Sequence, residues 1–361
     1  MEENILINQN TKNLKFKYNC DKNQVVISSS VCLFRNISGF KFNAVTDKVE
    51  KEAILSLVAE AKSQVDMLDS FNFYNLRDVP RLQRQLLIDQ KIISYSTSKK
   101  ISGKAVILNS NLVDKNKLTA ITVNEDEHLK IECVMPGRNI SNCYKEVLKV
   151  ERGLEKKLSF SFNQNLGYLT SNPSLIGTGL KATIVVHVPS MVISTRIVEF
   201  IKNLNQIGFG VSSFFGEGSE IIGNLFSISN LITLGKNEES IMEEIAAIGK
   251  NIEEEEEEAK EELKSTENFS IEDSVYRSFG MIKYAKILSF EESLELLSIL
   301  KFGLDLGIID EVKKFDFYEL INIISDSNIE ISYVKDKKAT LDEIDFIRAC
   351  VVREKILKNY A

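Results

Sequence analysis

Apolar residues recur along this chain in two rhythms. Over residues 47–69, Ala53, Ile54, Leu57, Val58, Ala61, Val65 and Leu68 return at three- and four-residue spacing, which predicts a helix with one buried face. Residues 80–90, 142–158 and 190–207 read as further helices. Between them lie short β-branched runs of strand length: residues 24–29, 104–109, 120–124, 128–134, 181–188 and 228–234. The rhythm changes after residue 238. Residues 238–264 form one charged helical stretch with Ile241, Ile245, Ile248 and Ile252 on a stripe, and helical spacing then dominates at 274–285, 290–304, 315–325 and 341–358. Strands and helices without regular alternation predict an α+β fold with an antiparallel sheet flanked by helices. The shift in pattern places a domain boundary near residue 265, giving domains 1–265 and 266–361.

Charge refines this picture. Residues 253–258 are six consecutive glutamates, which reads as a solvated helical linker because like charges repel and stay wet; a protein-binding acidic patch has the same composition. The chain has 361 residues, 43% hydrophobic and 27% charged, so a wholly disordered chain is excluded. A net charge of -7 argues against a broad nucleic-acid-binding surface. The start of the sequence lacks a basic segment followed by an apolar one, and no apolar run reaches the roughly 18–20 residues of a membrane span. Five scattered cysteines without a C-x-x-C pair fit reduced thiols. These readings together point to a cytoplasmic protein with no membrane partner and no metal site. Of 45 basic residues only ten are arginines, the side chain best suited to bidentate phosphate recognition.

Four segments have the composition of functional loops. Asn124, Glu125, Asp126, Glu127 and His128 cluster carboxylates between two strands, where they can raise one another's pKa and supply a general base, or form an ordinary hydrophilic turn. Gly177 and Gly179 precede a strand, where glycines allow backbone amides close to a phosphate or simply make a tight turn. Gly216, Glu217 and Gly218 combine glycine hinges with an acid, as in a mobile lid or a plain surface loop. Ser28, Ser29 and Ser30 end a strand, a common place for turn formers. His187, inside an apolar strand, reads as a buried core residue.

Taken in order, residues 25–29 with Arg35 and Asn36, 86–94, 124–131, 166–189, 216–235, 275–280 and 303–309 resemble the phosphagen (guanidino) kinase superfamily, and within it the bacterial protein-arginine kinases of the McsB type. The resemblance implies a catalytic domain built on an antiparallel sheet and a C-terminal helical domain. It also implies transfer of the γ-phosphoryl group of ATP-Mg onto a guanidinium nitrogen, in this branch that of an arginine on a client protein. Homodimerisation is implied on the same basis.

The chain departs from the family where the chemistry is concentrated. The family's Ser-Ser-Arg-x-Arg stands here as Ser28, Ser29, Ser30, Val31 and Cys32. Lys130 and Lys181 replace the arginines that end two further motifs, and Ser212 with Ser213 replaces an Arg-Gly pair. Lys91 stands where a histidine is usual, and Asn172 where a cysteine is. Asp126 occupies the position of the catalytic glutamate, one methylene shorter; Glu217 remains in its motif. The phosphoarginine-binding motif of the helical domain keeps Asp345 and Arg348 but has Ile344 in place of its first arginine. Lysine-rich codon usage accounts for lysines; it does not account for the neutral Ser30, Cys32 and Ser212. One arginine at a transferring phosphoryl group is worth about 10³–10⁵ in rate. The sequence therefore predicts a homologue with phosphotransfer lost or strongly impaired, acting in binding or regulation. Two other readings are an active kinase with a lysine-based ATP site (Lys91, Lys130, Lys181) and a non-catalytic subunit that pairs with an active kinase or its activator.

Overall fold

The computed structural model describes residues 25–43, 45–109, 117–216, 218–265, 269–334 and 339–357. Its main sheet has eight strands. β1 (Val26–Arg35) is central, followed in the chain by α1 (Lys48–Ser63), β2 (Phe71–Asn75), α2 (Arg81–Asp89), α3 (Tyr95–Lys99), β3 (Ala105–Asn109), β4 (Leu118–Val123), β5 (Leu129–Pro136) and α4 (Ile140–Glu155). A two-stranded ribbon of β6 (Phe162–Asn163) and β7 (Gly167–Tyr168) precedes β8 (Leu180–His187), α5 (Pro189–Ile193), α6 (Arg196–Gln206), β9 (Phe209–Ser213) and β10 (Leu225–Asn230). Strand order is β2-β3-β4-β5-β1-β8-β10-β9, and the β2–β3, β3–β4, β4–β5 and β5–β1 pairs are antiparallel. This is the α+β architecture that the pattern predicts.

Helices follow: α7 (Glu238–Ser265), α8 (Phe269–Tyr284), α9 (Phe290–Leu306), α10 (Phe317–Ile323), α11 (Asp326–Tyr333) and α12 (Leu341–Ile356). Their starts are set by side chains that satisfy otherwise unpaired amides. Asp47, Ser289, Asp316 and Ser325 each accept an N–H from the first turn of their helix, and Thr340 with Glu343 forms a reciprocal capping box. Among the described residues no helix is long and apolar enough to cross a membrane.

The chain packs as two compact units. One comprises residues 28–183 and 229–246; the other comprises 25–27, 184–228 and the described residues from 247 onward. Residues 266–268, beside the boundary expected from sequence, lie outside the described residues. In the first unit Leu76, Leu87, Ile92, Ile93 and Val106 form a buried cluster beside the sheet. In the second, Val275, Leu294, Leu297, Leu300, Leu320 and Ile356 belong to a larger one.

Two expectations need correction. The helix read across 190–207 is broken: Thr195 adopts φ 63°, separating α5 from α6. The glutamate run is not uniformly solvated. Glu256 is buried and accepts the N–H groups of Ser190 (2.8 Å) and Met191 (2.9 Å) at the start of α5, while Arg196 is paired with Glu255, Glu258 and Glu262. Two helical turns of like charge thus hold neighbouring backbone and a cation within the same unit.

Candidate active site

β1 and β5 run antiparallel with Ser30 opposite Val134, Cys32 opposite Glu132 and Phe34 opposite Lys130. Side chains alternate along a strand, and directly opposed residues share a face. Ser28, Ser30 and Cys32 therefore share one face of the sheet with Lys130 and Glu132. Ser29 points the other way, where its Oγ donates to the Gly137 carbonyl (2.6 Å) and accepts the Asn139 N–H ahead of α4.

On the shared face the charge is already engaged. Lys130 Nζ donates to the Ile92 carbonyl (2.9 Å) and lies 3.0 Å from Glu132 Oε2 and 3.6 Å from Glu125 Oε2. Burial alone lowers an ammonium pKa, but Glu132 and Glu125 outweigh it and hold Lys130 above the ordinary lysine range. Burial, then Glu132, push the Cys32 thiol well up, which leaves it a neutral, poorly nucleophilic group; Lys181, at the start of β8, opposes that shift from the neighbouring strand. Lys91 takes φ 60° just after α2, on an exposed residue. Crowding around its ammonium pulls its pKa down to about 7, with Glu132 opposing, and the water that reaches this residue screens the effect.

The acidic turn between β4 and β5 divides its labour. Glu125 points inward and accepts the Ser94 N–H at 2.5 Å; burial pushes its carboxyl up, but Lys130 and the Ser94 contacts outweigh burial and hold it below the usual range. Asp126 is exposed, and its carboxyl is raised by partial burial and by Glu125, against Lys104. Glu127 is buried and structural: it accepts from Asn36 Nδ2 (2.6 Å) and from the N–H groups of Ser171 (2.9 Å) and Asn172 (3.0 Å). His128 is structural too, its Nδ1 accepting the Ile37 N–H at 3.0 Å and its Nε2 donating to the Lys41 carbonyl at 2.9 Å.

The Gly177–Gly179 segment is a tight turn packed against protein. A Cβ on Gly177 would meet the Thr233 carbonyl oxygen at 2.8 Å. Arg35, beside Gly179, is fully engaged inside the unit: its Nε donates to Glu151, its Nη1 to the Phe34 and Thr178 carbonyls, and its guanidinium stacks 3.5 Å from the Tyr168 ring centre.

In the second unit, Ser212 is half-buried on β9, and Ser213 Oγ donates to the Glu220 carbonyl at 2.6 Å. Glu217 lies outside the described residues. Arg348 and Asp345 are together on α12. The Arg348 guanidinium is completely buried, its Nε donating to the Ile324 carbonyl (2.8 Å), its Nη1 to the Leu288 carbonyl (2.9 Å) and Asp345, and its Nη2 to Asp326. It ties α9, α11 and α12 together.

Comparison with known proteins agrees with this fold. The family described as "ATP:guanido phosphotransferase, C-terminal catalytic domain" matches residues 53–259, and "Protein-arginine kinase McsB C-terminal domain" matches residues 268–360. The protein-arginine kinase of Pelotomaculum thermopropionicum is 33% identical over 335 residues, 92% of this chain and 92% of that one. The chain belongs to the ATP:guanido phosphotransferase family, in its protein-arginine kinase branch. The Bacillus subtilis protein-arginine kinase is 30% identical over 93% of this chain and 91% of its own length. A solved lombricine kinase superposes with a TM-score of 0.55 at 20% identity, covering 64% of this chain and 66% of that chain; this likeness concerns the fold alone.

Membership raises the question of ATP-Mg, because phosphoryl transfer depends on positive charge and donors directed at the phosphates. Here Ser30 and Cys32 bring no charge, and Lys130 is surrounded by three oxygens of the chain. These three positions as arranged do not fit the phosphates of a nucleoside triphosphate. Glu132 lies inside the strand read at 128–134 but in none of the motifs; its spacing of two from Lys130, which puts both on one face of that strand, is the sequence signal for it.

Proposed function

We propose that this chain is a protein-arginine kinase homologue in which phosphotransfer is lost or strongly impaired, and that it acts by binding a protein, as regulator or as a client-recognising subunit. The observation that carries this reading is the state of Lys130. The positive charge left beside Ser30 and Cys32 is held by Glu132 and Glu125, so it is not available to a phosphate. Under this reading residues 1–265 are a kinase-type domain that no longer turns over ATP-Mg, Asp126 and Glu217 are remnants of its acid–base pair, and residues 266–361 are a helical binding domain in the cytoplasm.

Arg348 and Asp345 bear on the binding role. In the helical domain their mutual pairing supports a structural part, with any phosphoarginine contact left to groups around them. The test is direct: incubate the full chain with ATP-Mg and an arginine-rich protein, and measure acid-labile phosphoarginine by mass spectrometry. No product above a no-enzyme control supports the reading; turnover at ordinary kinase rates, about 1–100 per second, removes it.

A second reading, an active kinase with a lysine-based site, is favoured by one observation. Lys91, Lys130 and Lys181 all interact electrostatically with the Cys32–Glu132 pair. It requires that wild type bind ATP-Mg and that Lys130→Ala and Lys181→Ala each abolish the binding.

A further inference from the structure

Glu132 has no part in the reading of the motifs, yet it stands at the centre of the sheet face that carries them. It faces Cys32 across the β1–β5 pair. Its Oε2 is 3.0 Å from Lys130 Nζ, and the two side chains are only 13% and 14% exposed. Lys91 senses the Glu132 charge, and Lys181 senses the thiol opposite it. A carboxylate held 3.0 Å from a buried ammonium, with Glu125 next nearest at 3.6 Å, has the arrangement of a bound anion, except that this anion is covalently part of the chain. It is pre-paid in translational entropy, so a mobile anion competes against a partner that never leaves.

We propose that Glu132 is a built-in counter-ion that occupies the anion position of this sheet face and excludes polyphosphate ligands, making it the specificity-determining residue of the site. The proposal rests on the reading that the chain does not transfer phosphate, and goes beyond it by naming the residue that closes the site. The neutral positions Ser30 and Cys32 explain weak transition-state stabilisation. They do not by themselves explain rejection of a ligand, because the Lys130 ammonium on the same face would still attract one. Glu132 supplies that rejection in two ways. It neutralises Lys130 together with the more distant Glu125, and it places a negative charge where the ligand's own charge would go.

The experiment is a calorimetric titration of the full chain with ATP-Mg and, separately, with inorganic tripolyphosphate at low salt. Wild type is expected to give a flat trace. Glu132→Gln keeps the size and shape of the side chain and removes the charge, one acceptor oxygen becoming an N–H donor; it is expected to bind both ligands at least about tenfold more tightly, with affinity falling as salt rises. Glu132→Asp, which keeps the charge, is expected to stay flat, and Lys130→Met in the Glu132→Gln background to lose the gained binding. A Glu132→Gln protein that melts cooperatively yet titrates like wild type overturns the proposal, as does wild type binding as tightly as the variant. Phosphoarginine formation by wild type would instead strike the functional reading, whereas Glu132→Gln is expected to gain binding without gaining turnover, since Ser30 and Cys32 stay neutral.

Discussion

A Cβ placed on Gly179 would stand 2.6 Å from Arg35 Nη1 and 2.7 Å from the Phe34 carbonyl oxygen, and Gly179 itself sits at φ 58°. The turn is glycine because the buried arginine and the neighbouring strand leave no room for a side chain. Gly179→Ala is expected to destabilise the protein by about 1–3 kcal/mol. Gly216, with φ 118° but nothing within 4 Å of its Cβ, has only backbone strain to answer for, about 1 kcal/mol on substitution by alanine. Urea denaturation of both variants checks the order; equal losses would contradict it.

Arg348 is expected to behave as a structural residue. Its removal leaves the Ile324 and Leu288 carbonyls without their donor and Asp345 without its partner. Arg348→Ala should cost about 3 kcal/mol of stability, and Arg348→Lys should recover only part of that, because an ammonium cannot reproduce a planar fork of donors. Thermal melts of the two variants decide. A protein that melts like wild type but loses affinity for a phosphoarginine peptide would reassign Arg348 to direct recognition.

His187 gives the fold a pH dependence that can be isolated. Its ring is buried at the end of β8, with Nε2 2.8 Å from Ser298 Oγ and an edge contact to Phe317. Burial, and secondarily Lys301, holds its pKa well below the ordinary histidine range. The folded ring is therefore neutral while the unfolded one takes a proton near pH 6.5, so its stabilisation is complete above about pH 6.5 and is lost as pH falls below it, by up to about 1.4 kcal/mol per pH unit. His187→Gln removes this component. The stability gap between wild type and variant, measured by denaturation at about pH 7.5 and about pH 5.5, should move in favour of the variant at the lower pH. A gap independent of pH contradicts the assignment.

Much of this architecture was legible from apolar spacing, because helices and buried strands bury their apolar faces locally. β1 shows where that logic fails. The β-branched run suggested a strand ending at residue 29, but the strand continues to Arg35 because Ser30 and Cys32 pair with β5 and turn their small side chains toward the site. The break at Thr195 was invisible for a similar reason, since the apolar spacing of 190–207 fits one helix and only the backbone angle shows two. At the site, the motifs identified which arginines were missing. They could not show what replaced them, because Glu132 reaches Lys130 from two positions along β5 and its meaning depends on the face both share with Ser30 and Cys32. The same holds for Gly177 and Gly179, whose close packing against Thr233 and Arg35 is invisible in the motif.

The central claim is that the sheet face around Lys130 no longer supports phosphoryl transfer. Its most direct test is phosphoarginine formation by the full-length protein, followed by mass spectrometry on a protein substrate with ATP-Mg in excess. The account predicts no phosphoarginine above the no-enzyme control. Product that accumulates in proportion to enzyme and time, at rates of about one per second or more, would contradict it.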